Sequence, residues 1–175
     1  LVSAPYILCV NANVPAKTLQ ELIQIAKSKR LSYSSWGEGG SGHLITEMLE
    51  SMAGIDMLHV PYKGGAPALT AAIAGEVHPT ISNASVALPR VRAGKLNALA
   101  VTSKRRSGII PSLPTVAESG LPGFEAEAWV GIVAPAGLSG TLLRRIHRGL
   151  MAVVAAEPAR SQMVARGMEI VGTQP

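Results

Sequence analysis

A segment rich in glycine and serine, residues 34–43 (SSWGEGGSGH), carries the residue types best suited to binding chemistry in this chain. It is expected to join a short strand, Leu31–Ser34, to an amphipathic helix that begins near His43. Three glycines in four positions allow the backbone to turn at positive φ and to approach a ligand closely. Ser41 is expected to be the N-cap of the helix. Because the free N–H groups and the dipole of a helix N-terminus favour negative charge, the segment predicts an anion site.

The same pattern also fits an ordinary turn, because tight strand-to-helix connections in α/β proteins use glycine for steric reasons alone. A nucleotide ligand is not expected: no G-x-G-x-x-G is followed by an acidic residue on a second strand, and G-x-x-x-x-G-K-[ST] is absent. Ser41 and His43 could form a reactive pair, but in the first turn of a helix they point to different faces, and no third group orients the histidine. We therefore expect an anion-binding protein without catalytic residues.

Further polar candidates are expected at the same edge of the sheet, where the loops that follow parallel strands meet. Three predicted strands are followed by such loops, at 34–43, 61–65 and 82–85. Ser35 lies at a strand end and could point into a cleft. His43 could donate to an anion, or could be merely packed or solvated. Ser82 and Asn83 could bind the ligand or cap the next helix.

Other residues of these loops are given structural roles. Lys63 is interpreted as a solvated charge, and Tyr62 as a packing residue beside a proline. Trp129 is interpreted as packing near a hinge. His59 and His78 are too isolated in the sequence to predict a metal site, and no cofactor is expected.

Composition excludes several function classes. With 175 residues, 47% of them hydrophobic, the chain can form one domain or one domain plus part of a second. No apolar run approaches the ~20 residues of a membrane span, so insertion into a membrane is not expected. The basic clusters at 104–106 and 144–145 lack interleaved aromatics and a nucleic-acid motif, so nucleic acid is not an expected partner. The net charge of +5 would help to attract small anions. Cys9 is interpreted as a buried small hydrophobe.

Predicted strands and helices alternate, which favours an open, largely parallel α/β sheet. Strands are predicted at 5–10, 31–35, 57–60, 77–82 and 96–102, an extended segment at 125–134, and helices between 19–26, 43–53, 66–74, 84–93, 142–154 and 158–167. A capping box at Thr18–Glu21 starts the first helix. Pro79 argues for an edge strand or a bend, and Pro89 is expected to interrupt its helix. A second capping box, Thr115–Glu118, predicts a very short helix within an irregular connection at 107–123.

Taken together, the motifs resemble those of the tripartite tricarboxylate transporter substrate-binding receptors, also called the Bordetella uptake gene (Bug) family. The resemblance covers nearly the whole chain and is carried by YSSWGEGGSGHL at 33–44, HVPYKG at 59–64, AGKLNALAV at 93–101, LPTVAESG at 113–120, and Trp129 followed by APAG at 134–137. Each motif is weak alone, but their order and spacing are jointly specific.

The resemblance implies an extracytoplasmic receptor of the periplasm that has two lobes, captures an organic carboxylate between them and delivers it to membrane permease subunits. It implies a type II periplasmic-binding-protein-like lobe with a mostly parallel open sheet at residues 1–122. Residues 123–175 would return to the other lobe, whose N-terminal half is expected to be absent, as is a signal peptide. The implied ligand-binding residues are Ser35, Gly40, Ser41, Gly42, His43, Ser82 and Asn83.

One position departs from the family pattern. The strand after Gly75 reads Glu76-Val77-His78, with His78 where the family usually has aspartate. This change leaves the identity of the ligand and the local strand geometry open, and could tune the site toward a more acidic ligand. A different class, the effector-binding sensory domain of a transcription regulator, shares the two-lobed architecture; an upstream DNA-binding segment would favour it.

Overall fold

In the computed structural model, which describes residues 1–174, strands and helices alternate along the chain as the sequence predicts. The strands are β1 (Val2–Asn11), β2 (Ser32–Ser35), β3 (Leu58–Pro61), β4 (Thr80–Asn83), β5 (Leu96–Val101), β6 (Glu127–Val130) and β7 (Glu169–Ile170), and the helices are α1 (Leu19–Ser28), α2 (Ser41–Ala53), α3 (Gly65–Ala74), α4 (Ala84–Arg92), α5 (Gly140–Ala155) and α6 (Ala159–Ala165). The chain divides into two units, one of Pro5–Ala126 and one that combines Leu1–Ala4 with the residues from Glu127 onward.

The larger unit is built on a sheet with the strand order β3-β2-β4-β1-β5. β2 pairs in parallel with β3 and β4, whereas β1 pairs antiparallel with β4 and β5. Four of these five strands therefore run in one direction, as the prediction of a mostly parallel open sheet requires. The reversed direction of β1 makes the sheet mixed, and the sequence does not predict it, because residue periodicity carries no information on strand direction.

β1 forms the centre of the core. Ile7, Leu8, Cys9 and Val10 are fully enclosed, and such a continuous apolar run is typical of a strand covered on both faces. Burial raises the pKa of the Cys9 thiol to about 12. Cys9 therefore acts as the small buried hydrophobe that the sequence predicts.

Both predicted capping boxes form, but only one begins a helix. At the start of α1, Glu21 N donates to Thr18 Oγ1 at 3.2 Å, and the Glu21 carboxylate accepts from Thr18 N at 3.1 Å. In the second box, Glu118 N donates to Thr115 Oγ1 at 3.0 Å, and the Glu118 carboxylate accepts from Thr115 N at 2.9 Å. These bonds lie within a turn. The short helix predicted there is wrong, because Gly120, at φ 105°, turns the chain before a helix can continue.

The sequence predicts either an edge strand or a bend at Pro79, and the prediction of an edge strand is wrong. β4 lies between β2 and β1, in the interior of the sheet, and begins one residue after Pro79. The missing N–H of Pro79 therefore costs no ladder bond, while its carbonyl accepts from Ser34 N at 3.2 Å. A proline at the entry of a strand is compatible with a central position.

The predicted interruption at Pro89 is also wrong. α4 continues through Pro89 to Arg92. Ser85, whose carbonyl would otherwise bond to the N–H of residue 89, is exposed, as is Pro89 itself. Water can therefore satisfy the freed carbonyl, which makes a proline tolerable at this point of a surface helix.

The smaller unit contains the predicted extended segment and the two C-terminal helices. Val2 pairs with Ile170 of β7 in antiparallel fashion, and β6 also pairs with β1. Ser139 caps α5 by accepting from Leu142 N at 3.3 Å. Among the residues described, no helix has the length and apolar character needed to cross a membrane.

Candidate functional site

Strand register brings the three predicted loops to one edge of the sheet of the larger unit. In the parallel pairs, Ser35 of β2 lies opposite Pro61 of β3, and Ser34 lies opposite Thr80 of β4. The loops that follow β2, β3 and β4 therefore leave the sheet side by side. The predicted clustering of these loops is confirmed.

The glycine loop, residues 36–40, joins β2 to α2 in a conformation that needs glycine. Gly39 has a φ of 69°, in the left-handed region that other residues rarely adopt. At Gly42, a Cβ atom would lie 2.7 Å from the ring of Trp36, which itself stacks on Tyr6 at a centroid distance of 5.8 Å. The first turn of α2 thus packs against Trp36 of the loop through a close approach that only glycine permits.

The N-cap of α2 is Gly40, not Ser41 as the sequence predicts. Gly40 has the extended φ and ψ of a cap residue, and Ser41 is the first helical residue. Since Gly40 has no side chain, the first turn receives no side-chain cap bond. The sequence predicts Ser41 because serine is a more favourable N-cap residue than glycine. Glycine is also accepted at this position, and here Gly40 occupies it.

Three backbone N–H groups at the start of α2 are available to a ligand. Within residues 1–174, the amides of Ser41, Gly42 and His43 donate to no protein acceptor, and the hydroxyl of Ser41 is also free. No acidic residue occupies this first turn. Unsatisfied N–H groups at the positive end of a helix dipole form a seat for a carboxylate or a similar oxyanion.

Ser35 holds the loop from below. Its side chain is fully buried, with the hydroxyl 3.1 Å from the carbonyl of Gly37, 3.2 Å from the amide of Gly37 and 2.6 Å from Nε2 of His59. The hydroxyl is thus committed to protein groups. In this structure Ser35 braces the glycine loop and does not present its oxygen to solvent.

His43 and His59 stack face to face beneath the same loop. Their ring centroids are 3.9 Å apart with an interplanar angle of 9°, and the ring of Tyr33 contacts both, at 4.9 Å from His59 and 6.4 Å from His43. The Tyr33 hydroxyl donates to Glu47 at 2.6 Å, and His43 Nε2 lies 3.4 Å from the same carboxylate oxygen. We call these four residues, Tyr33, His43, Glu47 and His59, the ring column.

The surroundings of His59 and Tyr33 favour the neutral forms of these two side chains. Burial, followed by the neighbouring His43, lowers the pKa of His59. Burial and the bond to Glu47 raise the pKa of Tyr33 above its ordinary value. His59 looks isolated in the sequence because its contacts depend on the pairing of β2 with β3. This pairing places Tyr33 opposite His59.

Ser82 and Asn83 end β4 next to the glycine loop. Ser82 is largely buried, and its hydroxyl makes no hydrogen bond among the described residues. Asn83 is exposed and is the N-cap of α4, yet its side chain makes no cap bond. Of the two roles predicted for Asn83, capping by the side chain is therefore not realised, and its amide is open to a ligand.

The structure places His78 away from this group. His78 precedes β4, at the opposite edge of the sheet from Ser82, and lines a cavity of about 330 Å³ with Lys29 and Asn11. Its Nδ1 is buried without a hydrogen-bond partner. Burial, followed by Lys29, lowers the pKa of His78. β4 separates His78 from an anion bound at the glycine loop, so His78 could affect that anion only indirectly, through the strand.

Of the three residues given structural roles from the sequence, Tyr62 and Lys63 have those roles, and Trp129 does not. Tyr62 packs against the apolar cluster under α3, and Lys63 is exposed. Trp129, expected to pack, is instead 76% exposed. In the described part of the chain, no three His, Cys, Asp or Glu side chains are arranged to hold a metal ion.

Comparison with known proteins identifies a family. Residues 1–174 match the sequence profile of the tripartite tricarboxylate transporter family receptor, TctC. A UPF0065 protein from the tcbD-tcbE intergenic region of Pseudomonas sp. (strain P51) is 33% identical over 98% of this chain and 52% of its own length.

Two solved structures support the fold. The structure described as R. palustris Rpa4515 with adipate is 32% identical, with a TM-score of 0.84 over 97% of this chain and 57% of that one. The periplasmic binding protein BugD is 30% identical, with a TM-score of 0.82 over 98% of this chain and 58% of that one. The chain spans about half the length of the curated relatives that it matches.

Proposed function

The chain belongs to the tripartite tricarboxylate transporter receptor family, and from this membership we propose that it binds an organic carboxylate as part of a solute-binding receptor. The observation that carries the proposal is the uncapped start of α2, where three N–H groups and the Ser41 hydroxyl are free. The adipate in the name of the R. palustris structure supports a carboxylate as the ligand class.

One carboxylate group would sit at the glycine loop. Its oxygens would accept from the amides of Ser41, Gly42 and His43, which the glycine at the cap position leaves open. The side-chain positions of Gly40 and Gly42 face the ring of Trp36, so these glycines let Trp36 pack on the start of α2. Charge-assisted bonds of this kind are about twice as strong as neutral ones.

A second set of contacts would come from the end of β4. Ser82 and Asn83 leave the sheet beside the glycine loop, and within residues 1–174 neither side chain forms a hydrogen bond. A hydroxyl donor and an amide that can donate or accept suit the remaining polar groups of a dicarboxylate, a tricarboxylate, an amino acid or an aromatic acid. Shape and unsatisfied polar groups would then select among these acids.

We further propose that residues 1–122 form the ligand-binding lobe of a two-lobed receptor and that residues 123–175 return to the other lobe. An anion that binds groups of both lobes stabilises the closed form and shifts the population toward it. The closed form would be recognised by the membrane permease of a tripartite transporter. The periplasm is the proposed location, supported by the likeness to the periplasmic binding protein BugD.

Binding without catalysis follows from the same residues. The free groups at the start of α2 can donate to an anion, but none of them is paired with a base in the manner of an activated nucleophile. The Ser35–His59 contact does pair a hydroxyl with an imidazole, but Ser35 is fully buried, so its oxygen cannot attack a bound substrate. The proposal is therefore a receptor and not an enzyme.

A thermal-shift screen of the full-length encoded protein tests the proposal. The panel contains adipate, other dicarboxylates, tricarboxylates, amino acids and aromatic acids, with the matching neutral amides as controls. At about 100 times its Kd, a ligand stabilises the native state by roughly 2.7 kcal/mol, which should raise Tm by several degrees. A rise with one acid and none with its amide supports the proposal. A well-folded protein that responds to no acid contradicts it and favours the sensory-domain alternative.

A further inference from the structure

The side chain of His43 closes the glycine loop from within its own helix. Gly39 N donates to His43 Nδ1 at 3.0 Å. His43 is the third residue after the N-cap, the position from which glutamate or glutamine usually reaches back in a capping box. Because Nδ1 accepts this bond it carries no proton. The proton of the neutral ring is then on Nε2, which lies 3.4 Å from Glu47.

His59 supports the loop at two points. Its ring stacks on His43 at 3.9 Å, which fixes the plane from which Nδ1 of His43 faces Gly39. Its Nε2 lies 2.6 Å from the Ser35 hydroxyl, which in turn bonds to the backbone of Gly37. His59 thus supports Gly37 through the hydroxyl of Ser35. It supports Gly39 through the ring of His43.

We propose that the stacked pair of His43 and His59 positions the glycine loop, so that anion binding at this loop requires a neutral His43. This inference rests on the proposed function, because it concerns the same carboxylate seat. His43 acts here through its side chain as a positioning residue, while its backbone N–H remains a ligand donor.

The physical reason lies in the number of donors at one contact. Protonation of His43 places an N–H at Nδ1, directly opposite the N–H of Gly39, and two donors cannot bond to each other. The Gly39 contact is then lost, and the N–H groups that follow are no longer held in the geometry that suits an oxyanion. A positive charge at the third helical position is also opposed by the dipole of α2.

The charged and titratable groups around His43 come from four segments. Glu47 on α2 lies 3.4 Å from the His43 ring. His59 on β3 stacks on His43, Glu38 in the loop acts on His59 through its charge, and Tyr33 on β2 is engaged with Glu47. Histidine side chains in general change charge between pH 5 and 8, so a comparison of binding at about pH 7.5 and pH 5.5 tests this requirement.

Substitution of His43 by glutamine separates this role from direct binding by the ring. The glutamine oxygen can accept from Gly39 N at every pH, as in an ordinary capping box. The experiment measures the Kd of adipate by calorimetry at pH 7.5 and 5.5 for the full-length wild type, His43→Gln, His43→Ala and His59→Ala. His147→Gln, a histidine of the smaller unit, is the matched control.

We expect His43→Gln to bind within about threefold of wild type at pH 7.5, since it keeps the contact. Between pH 7.5 and 5.5 the wild-type Kd should rise about five- to tenfold more than that of His43→Gln, the size expected for one lost hydrogen bond. The change in the Kd of His43→Gln between the two pH values gives the part of the pH effect that is due to protonation of adipate itself. His43→Ala and His59→Ala should bind weakly at both pH values, and His147→Gln should follow wild type.

An NMR titration of the ligand-free protein keeps the inference separate from the proposed function. The ¹⁵N shift of the Gly39 amide should follow the titration of His43 in wild type and should be flat in His43→Gln. An unresponsive Gly39 amide, or equal pH dependence of Kd in both proteins, overturns the inference. If no acid binds, the proposed function fails, while the Gly39 titration still decides whether His43 positions the loop.

Discussion

The hydroxyls of Ser34 and Thr80 form a hydrogen bond of 2.9 Å between β2 and β4, and both side chains are almost completely buried. The two residues are also register partners in the parallel pair. This bond joins the two neighbouring strands from which the glycine loop and the Ser82–Asn83 pair leave the sheet.

Replacement of one partner in this pair should cost more than replacement of both. Ser34→Ala or Thr80→Val leaves one buried hydroxyl without a partner, which should lower the free energy of unfolding by about 1–3 kcal/mol. The double variant removes both hydroxyls and should recover part of that loss. Urea unfolding of the four proteins measures the coupling. Strict additivity of the two single effects would contradict it.

Gly42→Ala should disrupt the glycine loop. The new Cβ would lie 2.7 Å from the Trp36 ring, so Trp36 must leave its stack on Tyr6. We expect a loss of about 1–3 kcal/mol in stability and a loss of adipate binding. Gly149→Ala is the matched control: it lies in α5 with open space around it and should stabilise by about 0.5–1 kcal/mol. Denaturant unfolding and calorimetry give both values.

Asn83→Ala should separate binding from stability. Its side chain makes no cap bond, so the change should alter the free energy of unfolding by less than about 0.5 kcal/mol. A lost bond to a charged ligand group should weaken binding about tenfold or more. Asn13→Ala, an exposed asparagine near the opposite edge of the sheet, should change neither quantity. Equal affinity of Asn83→Ala and wild type would remove Asn83 from the site.

Stability should fall as pH rises through the titration of Glu50. Burial raises the pKa of this carboxyl to about 7, although its bond from the amide of Met57 acts in the opposite direction. The folded state therefore holds a proton that the unfolded state has already released above about pH 4.5. The stabilisation is complete below the unfolded pKa and is lost by about pH 7.

Glu50→Gln tests this sign. The variant keeps an oxygen for Met57 N but cannot ionise, so its Tm should exceed that of wild type at pH 8 and should approach it at pH 5. Glu21→Gln provides the contrast, because the backbone amide of Lys17 and then its other capping bonds lower the pKa of Glu21. The stabilisation that Glu21 gives to the wild type should be present at neutral pH. It should be lost as the pH falls below the ordinary pKa of a glutamate. A parallel response of the two variants would contradict the assignment.

Local patterns predicted the parts of the fold that local forces decide. The Thr18–Glu21 box and the order of strands and helices depend on patterns among neighbouring residues. The loops clustered as expected because the carboxyl ends of parallel strands share an edge. Sequence patterns were insufficient where the outcome depends on distant partners.

The ring column illustrates such an outcome. Tyr33 and His59 meet only because β2 and β3 pair in one particular register, and a shift by one residue would place them on opposite faces. The burial of Ser35 and the reversed direction of β1 likewise depend on pairing between remote segments. The cap of α2 differs, because it is a local feature: the sequence predicts Ser41, which has the better capping side chain, whereas the cap residue is Gly40.

The place of β1 also determines when the sheet can assemble. β1 precedes its partners in the chain, because its residue Cys9 pairs with Thr80 of β4 and Ala98 of β5. The most buried strand must therefore wait, unpaired, until almost the whole of the larger unit has been synthesised. Such high contact order slows folding, since loop closure precedes the gain from pairing. Truncation of the chain before β5 should therefore leave β1 without one of its two central partners.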